Sequence, residues 1–356
     1  MIMVMTIIAL LIALFFAMNI GASGTAAAMG AAYGGGAVKN KLFAVTLVAF
    51  AALAGAVLGG GEVVKTIGKG LIDNAVTVEL SIIILASACL TLFYANLVGI
   101  PLSTSEVTVG SVVGVGVAYQ SLVITKILFI LAVWITLPFI AFVVAFLLAK
   151  ITPHLERGLQ KTGKPVLVRR VLVVFLIVAG CYEAFSAGMN NVANAVGPLV
   201  AANILSTTAG IWLGGAFVGL GAILLGGKVL ETNGKKITKL SLLNGSFVSL
   251  TSGTLVIIAS LFGIPVPLTQ ATTMAIFGVG IADHGKKLWD NNIVKRIVKV
   301  WIISPLSSLV VSYSMVQLFI LNNYYALVVV VAVFIITISF FGFKRLRHHQ
   351  SMGEGI

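Results

Sequence analysis

The stretch GIPLSTSEVTVGSVVGVGVA at residues 99–118 returns without a gap as GIPVPLTQATTMAIFGVGIA at residues 263–282. Three further pairs keep the same order. VWITLPFIAFVV (133–144) matches VWIISPLSSLVV (300–311), aligning Trp134 with Trp301 and Pro138 with Pro305. GGEVVKTIGKGL (60–71) matches GGKVLETNGKKI (226–237), and GASGTAAAMG (21–30) matches GMNNVANAVG (188–197). The four offsets fall between 164 and 167 residues, so the chain is one unit written twice. The first copy is expected over residues 1–150 and the second over 171–321. A basic cytoplasmic linker (151–170) separates them, and a final span with a basic tail (322–356) follows.

What surrounds the repeats decides the solvent. Of 356 residues, 59% are hydrophobic and 9% charged, and the mean hydropathy is +1.13. A soluble domain carries about a quarter charged residues, so too few polar side chains exist here to clothe a water-soluble surface. Disorder fails on the same numbers. Apolar runs of about 20 residues, long enough to cross a bilayer as helices, recur along the chain. The formal net charge of +13 sits in short segments between these runs, with no basic stripe interleaved with aromatics, so nucleic acid is excluded as a partner. Cys89 and Cys181 lie in apolar runs without metal-ligand spacing, and His154, His284, His348 and His349 lie in basic loops or the tail. No metal site is expected. The uncharged first 38 residues run into a Gly/Ala-rich stretch and read as a retained first span.

The first copy holds spans near 3–38, 43–60 and 124–149, with the helix pair 76–98 and 103–119 returning to its starting side at Gly99-Ile100-Pro101, and the second copy repeats this order. The net number of crossings per copy is odd, so tandem copies must point opposite ways. The expected fold is therefore all-α: a polytopic, multi-pass membrane protein, an inverted-topology repeat with two helical hairpins and broken helices. With the N-terminus outside and the C-terminus cytoplasmic, all but Lys65, Lys69 and Lys126 of the 23 basic residues fall inside, as positive-inside topology requires.

Inverted repeats with interrupted helices place a substrate near the midplane, where helix ends offer N–H groups to an anion. Four interruptions are visible: the spans at 21–25 and 188–191, and the hairpin tips at 103–106 and 267–270. Ser103 and Glu106 have capping-box spacing, and Ser103, Thr104 and Ser105 bring hydroxyls to the first tip. In the second tip Pro267 takes the serine's place, while Thr269, Gln270, Thr272 and Thr273 keep donors. Asn190, Asn191 and Asn194 lie close together beyond Glu183, and Ser23 and Thr25 are the small polar residues of the matching first-copy stretch. Intramembrane amides are costly unless they pair or bind something, so interhelical bonding and substrate contact both remain open for them. Glu106 and Glu183 are the candidate carriers of a coupling proton. Glu62 and Lys65, with Lys228 and Glu231 in the other copy, look like ion-paired boundary residues.

GMNNVANAVGPLVAA (188–202) resembles the GANDVANA signature of the inorganic phosphate transporter (PiT) family, and GKVLETNGKKIT, WIISP and the serine-rich tip resemble its other signatures. The likeness spans nearly the whole chain and is closest to the family's sulfate permease branch. Two departures matter. The signature aspartate is Asn191 here and aligns with Gly24 in the first copy. The histidine that ends the S-T-T-H tip is Glu106, and Gln270 in the second copy. The resemblance implies a secondary active transporter rather than an enzyme, without cofactor, located in the cytoplasmic membrane and working as a homodimer in the lipid bilayer. Sulfate import coupled to H+ is expected, with Na+ as the other candidate ion and thiosulfate among related substrates. A phosphate symporter driven by Na+ or H+, or an anion channel, are the alternatives.

Overall fold

The computed structural model describes residues 2–73, 75–98, 102–161, 163–236, 240–285 and 291–325, with 328 and 332. Among these residues the chain is helical throughout, apart from a single isolated bridge between Ile72 and Leu122. Eight helices are long and apolar enough to cross a membrane. The Gly99-Ile100-Pro101 turn, the basic residues of 286–290 and most of the final span and tail lie outside the described residues.

The first helix, α1 (Ile2–Ile20), runs into one π-helical turn, Gly21–Thr25. The chain then breaks at Ala28-Met29 before α2 (Gly30–Gly34). This interruption falls where the sequence places it. Next come α3 (Lys41–Gly59) and the short α4 (Gly61–Lys69). The first hairpin is α5 (Val78–Val98) with α6 (Thr104–Ala118), and α7 (Ile124–Gln160) completes the first half. In the second half, α8 (Pro165–Ala201), α9 (Thr207–Leu225) and the short α10 (Gly227–Lys236) precede the second hairpin, α11 (Leu242–Leu261) with α12 (Leu268–His284). The last described helix is α13 (Asn291–Phe319). Serine or asparagine caps the open N–H groups of four helices, through Asn40, Ser103, Ser206 and Ser241.

One expectation needs correcting. The stretch 188–191 is not a break: α8 is continuous across it. Gly188 serves close packing, not chain freedom, because a Cβ there would overlap the Ala52 carbonyl of α3, and one on Gly55 would overlap the Phe185 carbonyl of α8. Within 151–170, the segment read as the linker, the chain is largely helical. Helix α7 continues to Gln160 and α8 begins at Pro165, leaving Lys161–Lys164 between them. Pro165 at the first helical position explains that start, since its missing N–H is one the helix would leave unpaired anyway.

The hairpins are exchanged between the halves. Helix α6 packs along α13 and α12 packs along α7, so each hairpin rests on the long helix of the other half. The Trp134 indole of α7 donates to the Pro265 carbonyl at 2.8 Å, fixing the tip of the second hairpin. Outward faces are apolar, as at Phe50, Leu58, Phe139 and Phe262, the pattern of a surface solvated by lipid.

The crossing of α3 and α8 yields a first prediction. Gly188→Val should drive a branched side chain into backbone and destabilise the packing by about 1–3 kcal/mol or more. Size-exclusion profiles of detergent-solubilised protein after graded heating should show earlier loss of the monodisperse peak. A profile matching the wild type would mean that this contact is not close.

Candidate functional site

The two hairpins and α8 meet at buried polar side chains. Ser103 occupies the N-cap of α6 and accepts the Glu106 N–H at 3.5 Å, which directs Thr104 and Ser105 from the first turn toward α8. Thr104 Oγ1 donates to Asn191 Oδ1 at 3.0 Å, and Ser105 Oγ donates to Asn190 Oδ1 at 3.2 Å. Asn194 Nδ2 lies 3.2 Å from Thr104 Oγ1, 3.3 Å from Ser105 Oγ and 3.5 Å from Asn191 Oδ1. The three asparagines share one face because positions four apart stack along a helix and the third lies one residue round. All five side chains are buried.

The bond directions fix the amides. Both bonds to Asn191 end on its Oδ1, so its Nδ2 amino group is turned the other way, toward Gly24 of the π-helical turn. A Cβ on Gly24 would lie 4.0 Å from that nitrogen and 3.8 Å from the Thr269 methyl. Asn191 thus offers a donor beside Gly24, which the Thr269 methyl also approaches. Asn194 Oδ1, by contrast, is buried with no hydrogen-bond partner.

The capping box is only half formed. Ser103 caps α6, but the Glu106 carboxylate turns to the second hairpin and accepts from the Gln270 amide. Ser304 of α13 lies beside it. A second carboxylate, Glu183, sits elsewhere on α8. Its Oε1 accepts from Thr272 Oγ1 at 2.6 Å and Ser252 Oγ at 2.9 Å. A crevice of about 10 Å³, roughly room for one water, lies against Glu183, Ser249, Thr272, Ala27 and Ala28.

The residues expected to form one site therefore divide. Thr104, Ser105, Asn190, Asn191 and Asn194 are joined by hydrogen bonds, with Asn191 and Thr269 each close to Gly24 and with Glu106 and Gln270 tying the tips together. Thr272 belongs instead to Glu183. Ser23 and Thr25 spend their hydroxyls on the Ile20 carbonyl, at 3.4 and 3.3 Å, which a π-helical turn leaves accessible. The boundary pair Glu62–Lys65 forms at 2.6 Å, and Glu231 pairs with Lys41 of α3 at 2.9 Å. No sequence pattern points to Ser260, Ile264 and Val266 around Asn190, or to Ser249 and Ser252 around Glu183. An extra serine on an apolar helix carries no mark of the partner it meets 70 residues away.

Comparison with known proteins gives three findings. The phosphate transporter family model matches residues 20–169 and 156–312. The sulfate permease CysP of Bacillus subtilis (strain 168) is 52% identical over 330 residues, covering 92% of each chain. A solved structure described as the sodium-dependent phosphate transporter superimposes with a TM-score of 0.76 at 26% identity, covering 89% of this chain and 99% of that one.

Proposed function

This chain belongs to the phosphate transporter family, and from that premise we propose that it is a secondary active transporter importing sulfate across the cytoplasmic membrane in symport with protons. The observation that carries this reading is the chemistry at Asn191. Where the family signature has an acidic acceptor, this site presents an amide nitrogen, held outward by two bonds on the oxygen. Sulfate near neutral pH only accepts hydrogen bonds, whereas hydrogen phosphate also has a proton to donate. A buried site built to pair one of them leaves unpaired groups against the other, and such mismatches discriminate strongly. Thr269 and the first turn of α6 would add donors, and the N-terminal end of α6 favours negative charge. The 52% identity to a protein named as a sulfate permease points the same way.

A dianion entering a cell negative inside works against about 2.3 kcal/mol per charge per 100 mV. Coupling to a cation offsets that cost, and Glu106 and Glu183 are the buried groups able to take a proton. Alternating access would follow from movement of the exchanged hairpins about α8. The N-terminus would lie outside and the C-terminus inside, as the distribution of lysine and arginine requires, and two copies would work as a homodimer.

Phosphate is the second reading. Asn194 Oδ1 is a buried acceptor without a donor, which a protonated anion would satisfy. Uptake into proteoliposomes separates the two. Labelled sulfate should accumulate saturably under an inward proton gradient and be displaced weakly by phosphate. Phosphate accumulation without sulfate uptake would overturn the sulfate assignment, and unitary currents in place of saturable flux would indicate a channel.

A further inference from the structure

We infer that Asn190 is a positioning residue that holds the two hairpins in common register, and not a ligand of the transported anion. An asparagine side chain has two N–H donors and one carbonyl oxygen with two acceptor sites, and Asn190 uses all four on the protein. Its Oδ1 accepts from Ser105 Oγ of the first hairpin at 3.2 Å and from the Val266 N–H of the second at 3.1 Å. Its Nδ2 donates to Ser260 Oγ at 2.8 Å and to the Ile264 carbonyl at 3.1 Å, both in the second hairpin. The side chain is fully buried, so nothing remains to offer a substrate. Ser260 is itself held, donating to the Val256 carbonyl at 2.7 Å. One amide on α8 therefore joins the first turn of α6 to the end of α11 and the loop before α12.

The arrangement is one-sided. The residue matched to Asn190 in the first half is Ser23, whose hydroxyl, among the described residues, bonds within its own helix to the Ile20 carbonyl. The neighbouring amide of Asn191 differs too, with its nitrogen turned toward Gly24. Adjacent asparagines thus divide the work: Asn191 turns its nitrogen toward Gly24, the side of the proposed anion site, and Asn190 sets where the hairpins stand. Movement of either hairpin relative to the other must break or carry along this set of bonds.

This inference rests on the proposed anion site, so its test has one arm that needs no anion. Hydrogen–deuterium exchange of the full-length protein in detergent should show faster exchange in Asn190→Ala at residues 102–106 and 262–267 together. Acceleration at neither segment, or at one alone, would overturn the inference whatever the substrate proves to be. The second arm uses sulfate, or phosphate if the wild type binds that instead. In Asn190→Ala, the equilibrium dissociation constant from titration calorimetry should stay within threefold, while the maximal uptake rate falls at least tenfold. Ser260→Ala, which lies off the anion side, should slow uptake at least threefold alone and less than twofold further in the Asn190→Ala background. Affinity weakened beyond threefold in Asn190→Ala, or wild-type uptake by Ser260→Ala, would overturn it. If Asn190→Ala gives no folded protein, Ser260→Ala is read alone by the same criteria, with exchange measured at both segments.

Discussion

Asn191→Asp is expected to lower sulfate uptake at least tenfold while phosphate uptake holds or rises, shifting the ratio of the two at least tenfold. Oδ1 of the new aspartate can still accept from Thr104 and Asn194, so the bonds that orient the side chain persist. The change falls on the other atom. A donor that faces Gly24 becomes an acceptor, and a negative charge enters a buried site. Two like unit charges about 4 Å apart repel by about 4 kcal/mol at an effective dielectric of 20. Against a dianion, tenfold is thus a lower bound. Hydrogen phosphate meets the same charge but can donate its proton to the new oxygen, a charge-assisted bond that offsets the repulsion. Initial rates of both labelled anions, in proteoliposomes prepared from one batch, give the ratio. Asn191→Ala is the control and should weaken both anions. Sulfate uptake by Asn191→Asp within twofold of wild type would remove Asn191 from the selectivity assignment.

Much of this site is legible in the sequence, and the limit of legibility has a physical form. Periodicity reveals which residues share a helix face, so Asn190, Asn191 and Asn194 emerge as a group. Capping chemistry reveals where α6 begins, because Ser103 stands three residues before Glu106. Neither reveals the partner. Thr272 lies close in sequence to Gln270, yet the two bond to different carboxylates, since residues two apart on a helix point in different directions. Glycine is ambiguous in the same way. Its run at 21–24 does accompany a π-helical turn, while Gly188, in the matching segment, lies in regular helix and is small for the sake of the Ala52 carbonyl. A missing Cβ serves either backbone freedom or close approach, and only the neighbouring helix decides which. The exchange of hairpins, α6 onto α13 and α12 onto α7, is equally invisible to composition because all four helices are apolar.

Glu183→Gln is expected to abolish the pH dependence of sulfate uptake, whereas Glu106→Gln should slow uptake and keep the dependence. The two carboxylates differ in what surrounds them. Glu183 accepts from two hydroxyls, Thr272 and Ser252. A hydroxyl both donates and accepts. When the carboxyl gains a proton, either partner can rotate its O–H and receive that proton without moving a helix. The adjoining crevice, which runs past Ala27 and Ala28 where the first span breaks, leaves room for a water beside the carboxyl. Glu106 faces an amide group that presents its nitrogen. Protonation there would require Gln270 to turn its amide over, in a contact that holds the hairpin tips together. Glu106 is therefore suited to stay in one state and Glu183 to alternate. With an inward proton gradient as the driving force, wild-type uptake should fall as external pH rises, because fewer protons are available to load the carrier. Glu183→Gln mimics the protonated side chain permanently, so its rate should be flat across pH 5.5–8 on the scale of about tenfold over which the wild type varies. It should also fail to concentrate sulfate under a proton gradient while still exchanging internal for external sulfate. Exchange that survives while accumulation is lost separates a coupling defect from a folding defect. A wild-type pH profile in Glu183→Gln would exclude this residue as the proton carrier, and wild-type profiles in both variants would remove the proton from both of these carboxylates.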